Sequence, residues 1–96
     1  MSEVEAALAK YRAEIDRIDA QLLHLLNERA KAALAIGKVK KAAGLPIHVP
    51  EREAQVIATL CERNAGPLHA GMVAAVYLEI MTQMKALEEA LGFAER

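Results

Sequence analysis

The chain has 96 residues, of which 54% are hydrophobic and 26% are charged, and its formal net charge is −1. Because a nucleic-acid surface needs a basic excess to displace counterions, this balance argues against nucleic-acid binding. No apolar run approaches the ~18 residues of a membrane span, and the acidic start of the chain does not resemble a secretory signal. The single cysteine, Cys61, excludes an internal disulfide and favours a reducing compartment. We therefore expect one helical domain over residues 1–96, located in the cytoplasm.

Glycine and proline residues divide the chain into three predicted helices. Gly44 and Pro46 break the chain first, and Gly66-Pro67 breaks it again. No segment shows the two-residue alternation that is typical of a strand. The sequence therefore predicts an all-α protein with one long helix over roughly 3–43 and two shorter helices over roughly 50–64 and 68–91.

The first predicted helix carries an apolar seam, spaced alternately four and three residues apart, along its whole length. The seam positions are Val4, Leu8, Tyr11, Ile15, Ile18, Leu22, Leu25, Arg29, Ala32, Ile36, Val39 and Ala43. Such a helix is ~60 Å long, so the two shorter helices cannot cover the seam completely. Because an exposed apolar stripe of this size on a monomer promotes association, we predict a homodimer in which a second copy covers it.

Two cations interrupt this apolar face. Arg29 occupies a seam position, and Lys40 follows it after a net rotation of only about 20° and a rise of ~16 Å. The small residue Gly37 lies between them and leaves room beside the backbone. Two interpretations stay open: the cations bind a compact anion, or Arg29 pairs with a carboxylate across the bundle while Lys40 extends to solvent.

Arg12 does not fit the same site within one chain. It precedes Arg29 by ~25 Å along the helix axis and is rotated from it by about 100°. An antiparallel partner could deliver Arg12 to the site of the other copy. Taken alone, Arg12 is interpreted as a solvated residue that flanks the seam.

The second predicted helix opens with Pro50, which suits the first helical position, although Val49 before it is a poor N-cap. Arg52 and Glu53 lie in the first turn. Glu53 complements the positive end of the helix dipole there, so capping is its simplest function.

The third predicted helix places a carboxylate beside its apolar stripe. Glu88 follows Met84 by four residues and Met81 by seven, and the two methionines are predicted to pack in the core. Two interpretations are open for Glu88: a buried functional carboxylate, or a member with Glu89 of a solvated acidic helix end.

No other pattern indicates a catalytic or metal site. His24, His48 and His69 are scattered without paired ligand spacing, and Cys61 has no suggestive neighbour. There is no glycine-rich phosphate loop. We therefore expect neither a metal nor a cofactor.

Three motifs carry a resemblance to one family over roughly residues 8–91. They are Arg12-x-x-Ile15-Asp16-x-Ile18-Asp19-x-x-Leu22-Leu23-x-Leu25-Leu26-x-x-Arg29, Gly37-x-x-Lys40 and Pro50-Glu51-Arg52-Glu53. Together with the third helix they resemble the all-helical chorismate mutases, most closely the mutase domain of bifunctional chorismate mutase/prephenate dehydratase proteins. The resemblance implies an isomerase that converts chorismate to prephenate in phenylalanine and tyrosine biosynthesis. It further implies an intertwined homodimer without cofactor, in which each active site takes one arginine from the other subunit.

The same resemblance implies roles for individual side chains. Arg29 and the partner subunit's Arg12 would bind the two carboxylates of the dianionic substrate. Lys40 would contact a carboxylate and the ether oxygen, and Glu88 would face Lys40 across that oxygen. Lys40, Glu88 and Arg29 would therefore be the catalytic residues.

Arg52 and Glu53 would hold the ring hydroxyl of the substrate. Three positions depart from the pattern of some relatives: Val49 replaces Asp, Met84 replaces Ser, and Glu88 replaces Gln. The side chains of Val49 and Met84 cannot form the corresponding hydrogen bonds. The cationic part of the site is unaffected.

Two alternatives belong to different functional classes. Isochorismate pyruvate-lyases resemble this chain in the same arginines and lysine, and they bind a similar dianion. A non-catalytic domain of this kind can instead regulate another shikimate-pathway enzyme. We favour the mutase because the Arg52-Glu53 pair and the third helix are more similar to that branch.

Overall fold

The computed structural model describes residues 2–93, and this part of the chain contains three α-helices and no strand. Helix α1 runs over Glu3–Ala43, α2 over Pro50–Arg63 and α3 over Ala70–Ala90. The predicted all-α class is confirmed. None of the helices in this part of the chain combines the length and the apolar character that crossing a membrane requires.

The chain divides into two compact units, Met1–Ala32 and Ala33–Arg96, and the boundary falls inside α1. In the first unit, the backbone N–H of Glu5 donates to Ser2 Oγ at 3.0 Å, which caps the start of α1. The large apolar residues that the structure describes in this unit are exposed: Val4, Leu8, Tyr11, Ile15, Ile18, Leu22, Leu23, Leu25 and Leu26. The predicted seam therefore has no cover within the first unit.

In the second unit, α1 ends through a glycine turn. Gly44 adopts a φ of 70°, a left-handed conformation that glycine adopts without steric cost. The N–H groups of Gly44 and Leu45 donate to the carbonyls of Lys41 and Lys40 at 3.2 and 2.9 Å. These two hydrogen bonds satisfy two of the carbonyls in the last turn of α1, and the loop over residues 44–49 follows.

Helix α2 packs against α3 in the second unit. Val73 and Met81, both on α3, are the buried apolar side chains in the described part of the chain. The core position predicted for Met81 is confirmed, and Met84 is half-buried. Phe93 packs on Gly37 near the end of α1, where a Cβ built on the glycine would lie 3.7 Å from the phenylalanine Cβ.

The predicted start of the third helix at residue 68 is wrong by two residues. The Asn64 side-chain amide donates a hydrogen bond to the Leu68 carbonyl at 2.6 Å. This oxygen therefore accepts from a side chain that lies outside the helix. His69 is extended, with φ −81° and ψ 157°, and its carbonyl is the first helical acceptor. The second helix ends at Arg63 rather than at residue 64, because Asn64 is also extended.

Candidate active site

Lys40 lies in the last turn of α1, and it is half-buried. Its Nζ donates a hydrogen bond to the carbonyl oxygen of Ile47 at 3.3 Å. This contact ties the 44–49 loop to α1 and holds the ammonium group beside the loop. A lysine ammonium has three N–H donors, so Lys40 keeps donors for a ligand.

Glu88 lies near the end of α3, and its side chain is only 12% exposed. Its Oε2 lies 3.8 Å from Nδ1 of His48, a residue of the 44–49 loop. The interpretation of Glu88 as part of a solvated helix end is therefore wrong.

The 44–49 loop brings two predicted site residues to one region. Lys40 of α1 contacts Ile47, and Glu88 of α3 contacts the next residue, His48. A cation and a carboxyl group are thereby held against successive residues of one short loop. The structure thus places a donor and a carboxyl group beside the same loop.

His48 is a contact residue that sequence reasoning missed. Its side chain is 31% exposed, yet its Nε2 is buried without a hydrogen-bond partner among residues 2–93. Helical periodicity says nothing about a loop residue, so the sequence offered no spacing argument for it. The nearest signal was its position between Pro46 and Pro50, which restrict the loop on both sides.

Arg52 and Glu53 make separate contacts at the start of α2. Arg52 is exposed, and its Nη1 donates to Gln55 Oε1 at 2.7 Å. The Glu53 carboxylate contacts α3, where its Oε1 lies 3.3 Å from Nζ of Lys85. Glu53 therefore links two helices in addition to complementing the dipole of α2.

Arg12 and Arg29 both belong to the first unit, where Arg12 is exposed and Arg29 half-buried. Neither guanidinium forms an ion pair within the part of the chain that the structure describes. The interpretation in which Arg29 is neutralised by a carboxylate thus finds no partner among these residues.

Sequence comparison places the chain among known proteins. The model of the chorismate mutase type II family matches residues 11–89. The bifunctional chorismate mutase/prephenate dehydratase of Aquifex aeolicus is 42% identical over 91 residues, which are 91% of this chain and 25% of that protein. The protein of the same name from Neisseria gonorrhoeae is 40% identical over 91 residues, covering 95% of this chain and 25% of the relative. This chain thus spans about a quarter of the length of these curated relatives.

Structural comparison agrees with the sequence comparison. The structure of chorismate mutase (form II) from Thermus thermophilus superposes with a TM-score of 0.84 at 32% identity, covering 86% of this chain and 94% of that one. A family match over most of the residues, relatives at 40% identity or above and a solved structure of the same fold lead to one conclusion. The chain belongs to the chorismate mutase type II family.

Proposed function

We propose that this chain is a chorismate mutase, an isomerase that converts chorismate to prephenate in phenylalanine and tyrosine biosynthesis. The observation that carries the proposal is the attachment of Lys40 and Glu88 to successive residues of the 44–49 loop. We also propose that residues 1–96 act as one mutase domain and that the protein is cytoplasmic.

The proposed reaction suits these residue types. A sigmatropic rearrangement needs neither a nucleophile nor proton transfer. It needs the flexible dianion to be folded into a chair-like conformer, and it needs donors at the ether oxygen as the C–O bond breaks. In the proposal, Lys40 is one donor, and Glu88 faces it across the ether oxygen.

Arginine side chains would fold the substrate. A guanidinium group binds a carboxylate through two parallel hydrogen bonds and so fixes its orientation as well as its position. We assign one substrate carboxylate to Arg29 and the other to the partner subunit's Arg12. The lack of an ion pair at either position among the described residues supports this assignment.

The ring hydroxyl is assigned to Arg52 and Glu53 in the first turn of α2. Glu53, when ionised, is an acceptor for the hydroxyl proton, and Arg52 supplies donors. Half-burial of Glu53 near the α2–α3 contact supports a fixed position for this acceptor.

A homodimer completes the proposal. The exposed seam residues of the first unit, such as Leu8, Ile15 and Leu22, need a cover. A second copy that aligns its own α1 with this seam would bury them, and the shared active sites follow from the same arrangement.

The decisive experiment follows chorismate consumption by loss of its ultraviolet absorbance, with prephenate identified as the product. Lys40→Met should lower kcat/KM by about 10²-fold or more, because it removes a donor at the ether oxygen. Lys41→Met is the matched control, since Lys41 Nζ donates to the Gly92 carbonyl at 2.8 Å instead. Its kcat/KM should stay within about threefold of wild type.

Other products would support other functions. Pyruvate released from isochorismate, without turnover of chorismate, would replace the mutase with a pyruvate-lyase. Absence of turnover with both substrates, combined with ligand-dependent activation of another shikimate-pathway enzyme, would support a regulatory domain.

A further inference from the structure

An ion pair joins α2 and α3 through a lysine to which the family resemblance gives no role. Lys85 Nζ lies 3.3 Å from Glu53 Oε1, and the two side chains are 41% and 29% exposed. Lys85 has two carboxylates on its own helix at the spacings where helical ion pairs form, Glu88 and Glu89. Among the described residues it pairs instead with Glu53 on another helix.

The stability of the fold does not explain this contact well. Ion pairs with this degree of exposure add little to folding, because water screens the attraction and two long side chains lose freedom. The position of Glu53 suggests an effect on ligand binding instead, since Glu53 is the carboxylate assigned to the ring hydroxyl.

A carboxylate is an unfavourable neighbour for a dianionic substrate. Its charge repels the two substrate carboxylates over several ångströms wherever water is partly excluded. Lys85 places a positive charge next to Glu53 Oε1. This charge cancels most of the repulsion between the Glu53 carboxylate and the more distant carboxylates of the substrate. The lone pairs that Lys85 does not occupy stay free to accept a hydrogen bond from a hydroxyl.

We propose that Lys85 is a positioning residue for Glu53, which fixes this carboxylate as the acceptor of the ring hydroxyl and neutralises its charge toward the dianion. The inference rests on the proposed mutase function and adds to it a residue that acts through Glu53 rather than on the substrate.

The test measures KM and kcat for chorismate separately for each variant. Lys85→Met should raise KM, because it leaves the negative charge of Glu53 unbalanced near the dianionic substrate. The rise should be only about fivefold, because water screens the charges of a partly exposed pair. Its kcat should stay within about twofold of wild type, because the hydroxyl contact is the same in the ground state and in the transition state. Lys85→Arg keeps the charge and should restore most of the wild-type KM.

A matched control removes the same charge from another ion pair. Lys31 Nζ lies 3.1 Å from Glu28 Oε1 in an exposed pair within α1. Lys31→Met should leave KM and kcat within about twofold of wild type. An equal rise in KM for the Lys31 and Lys85 variants would overturn the inference, because it would show a general charge effect.

Coupling to Glu53 distinguishes positioning from a structural role. In a Glu53→Gln background there is no carboxylate to neutralise, so Lys85→Met should have almost no further effect on KM. The same fivefold rise in both backgrounds would overturn the inference, as would an unchanged KM in the single variant. If Lys85→Met loses helicity, Lys85→Gln replaces it in both backgrounds.

Wild-type turnover separates this inference from the proposed function. If the wild type converts chorismate and Lys85→Met has the same KM, the inference alone is wrong. If the wild type does not convert chorismate, the proposed function is wrong and the inference falls with it.

Discussion

Replacement of Glu88 by glutamine should remove a pH dependence from catalysis. An ionised carboxylate only accepts hydrogen bonds, so Glu88 can donate to the ether oxygen only when it is protonated. A glutamine amide is a neutral donor at every pH, so the profile of Glu88→Gln should be flat.

The burial of Glu88 sets the size of the effect. Its side chain is 12% exposed, so a hydrogen bond there forms in surroundings that exclude most water. One preorganised donor at a developing negative charge contributes about 3 kcal/mol, or ~10² in rate. Wild type and Glu88→Gln should therefore differ in kcat/KM by up to ~10²-fold at alkaline pH.

The assay records kcat/KM for chorismate across the pH range in which helicity is constant. Glu89→Gln is the matched control, because this neighbour is also half-buried and has no assigned role. Its profile should follow that of wild type. Parallel profiles for wild type and Glu88→Gln would refute the reasoning, and donation to the ether oxygen would then rest on Lys40 alone.

Three further predictions concern assembly and packing. Sedimentation at micromolar concentration should give about twice the chain mass of 10.4 kDa, and a fully helical monomer would contradict the predicted dimer. Inactive Arg12→Ala and Lys40→Ala proteins, refolded together, should regain about a quarter of wild-type activity, because half of the randomly formed dimers are mixed and each of these has one intact site. Lack of recovery in verified mixed dimers would place Arg12 and Lys40 in the site of the same subunit. Met81→Ala should lower the free energy of unfolding in urea by about 2–4 kcal/mol, because Met81 is 6% exposed. Met72→Ala, at a position 51% exposed, should lower it by at most about 1 kcal/mol, and equal losses would place Met81 outside the core.

The helices were predictable because their limits are set by local chemistry. Gly44 ends α1 through its left-handed conformation, and Pro50 begins α2. The start of α3 was harder, because the hydrogen bond from Asn64 to the Leu68 carbonyl spans the turn. A sequence pattern does not show which side chain donates a hydrogen bond to a carbonyl in such a turn.

The candidate site was predictable only in part, for a different physical reason. Periodicity and resemblance single out Lys40, which lies on an apolar face, and Glu88, which lies beside one. They do not show how one helix is aligned with the next, so the contact between Lys85 and Glu53 was not foreseen. For the same reason, nothing in the sequence connected the loop residue His48 with Glu88.

The small amount of buried apolar surface changes how the stability of this protein is to be measured. Val73 and Met81 are the only apolar side chains buried in residues 2–93, while the seam of the first unit faces water. In the proposed homodimer, association would bury this seam, and the stability of the fold would then follow mass action. Its melting temperature should therefore rise with protein concentration, and dilution should lower the free energy of unfolding. A free energy of unfolding measured for this protein should therefore be reported together with the protein concentration at which it was measured.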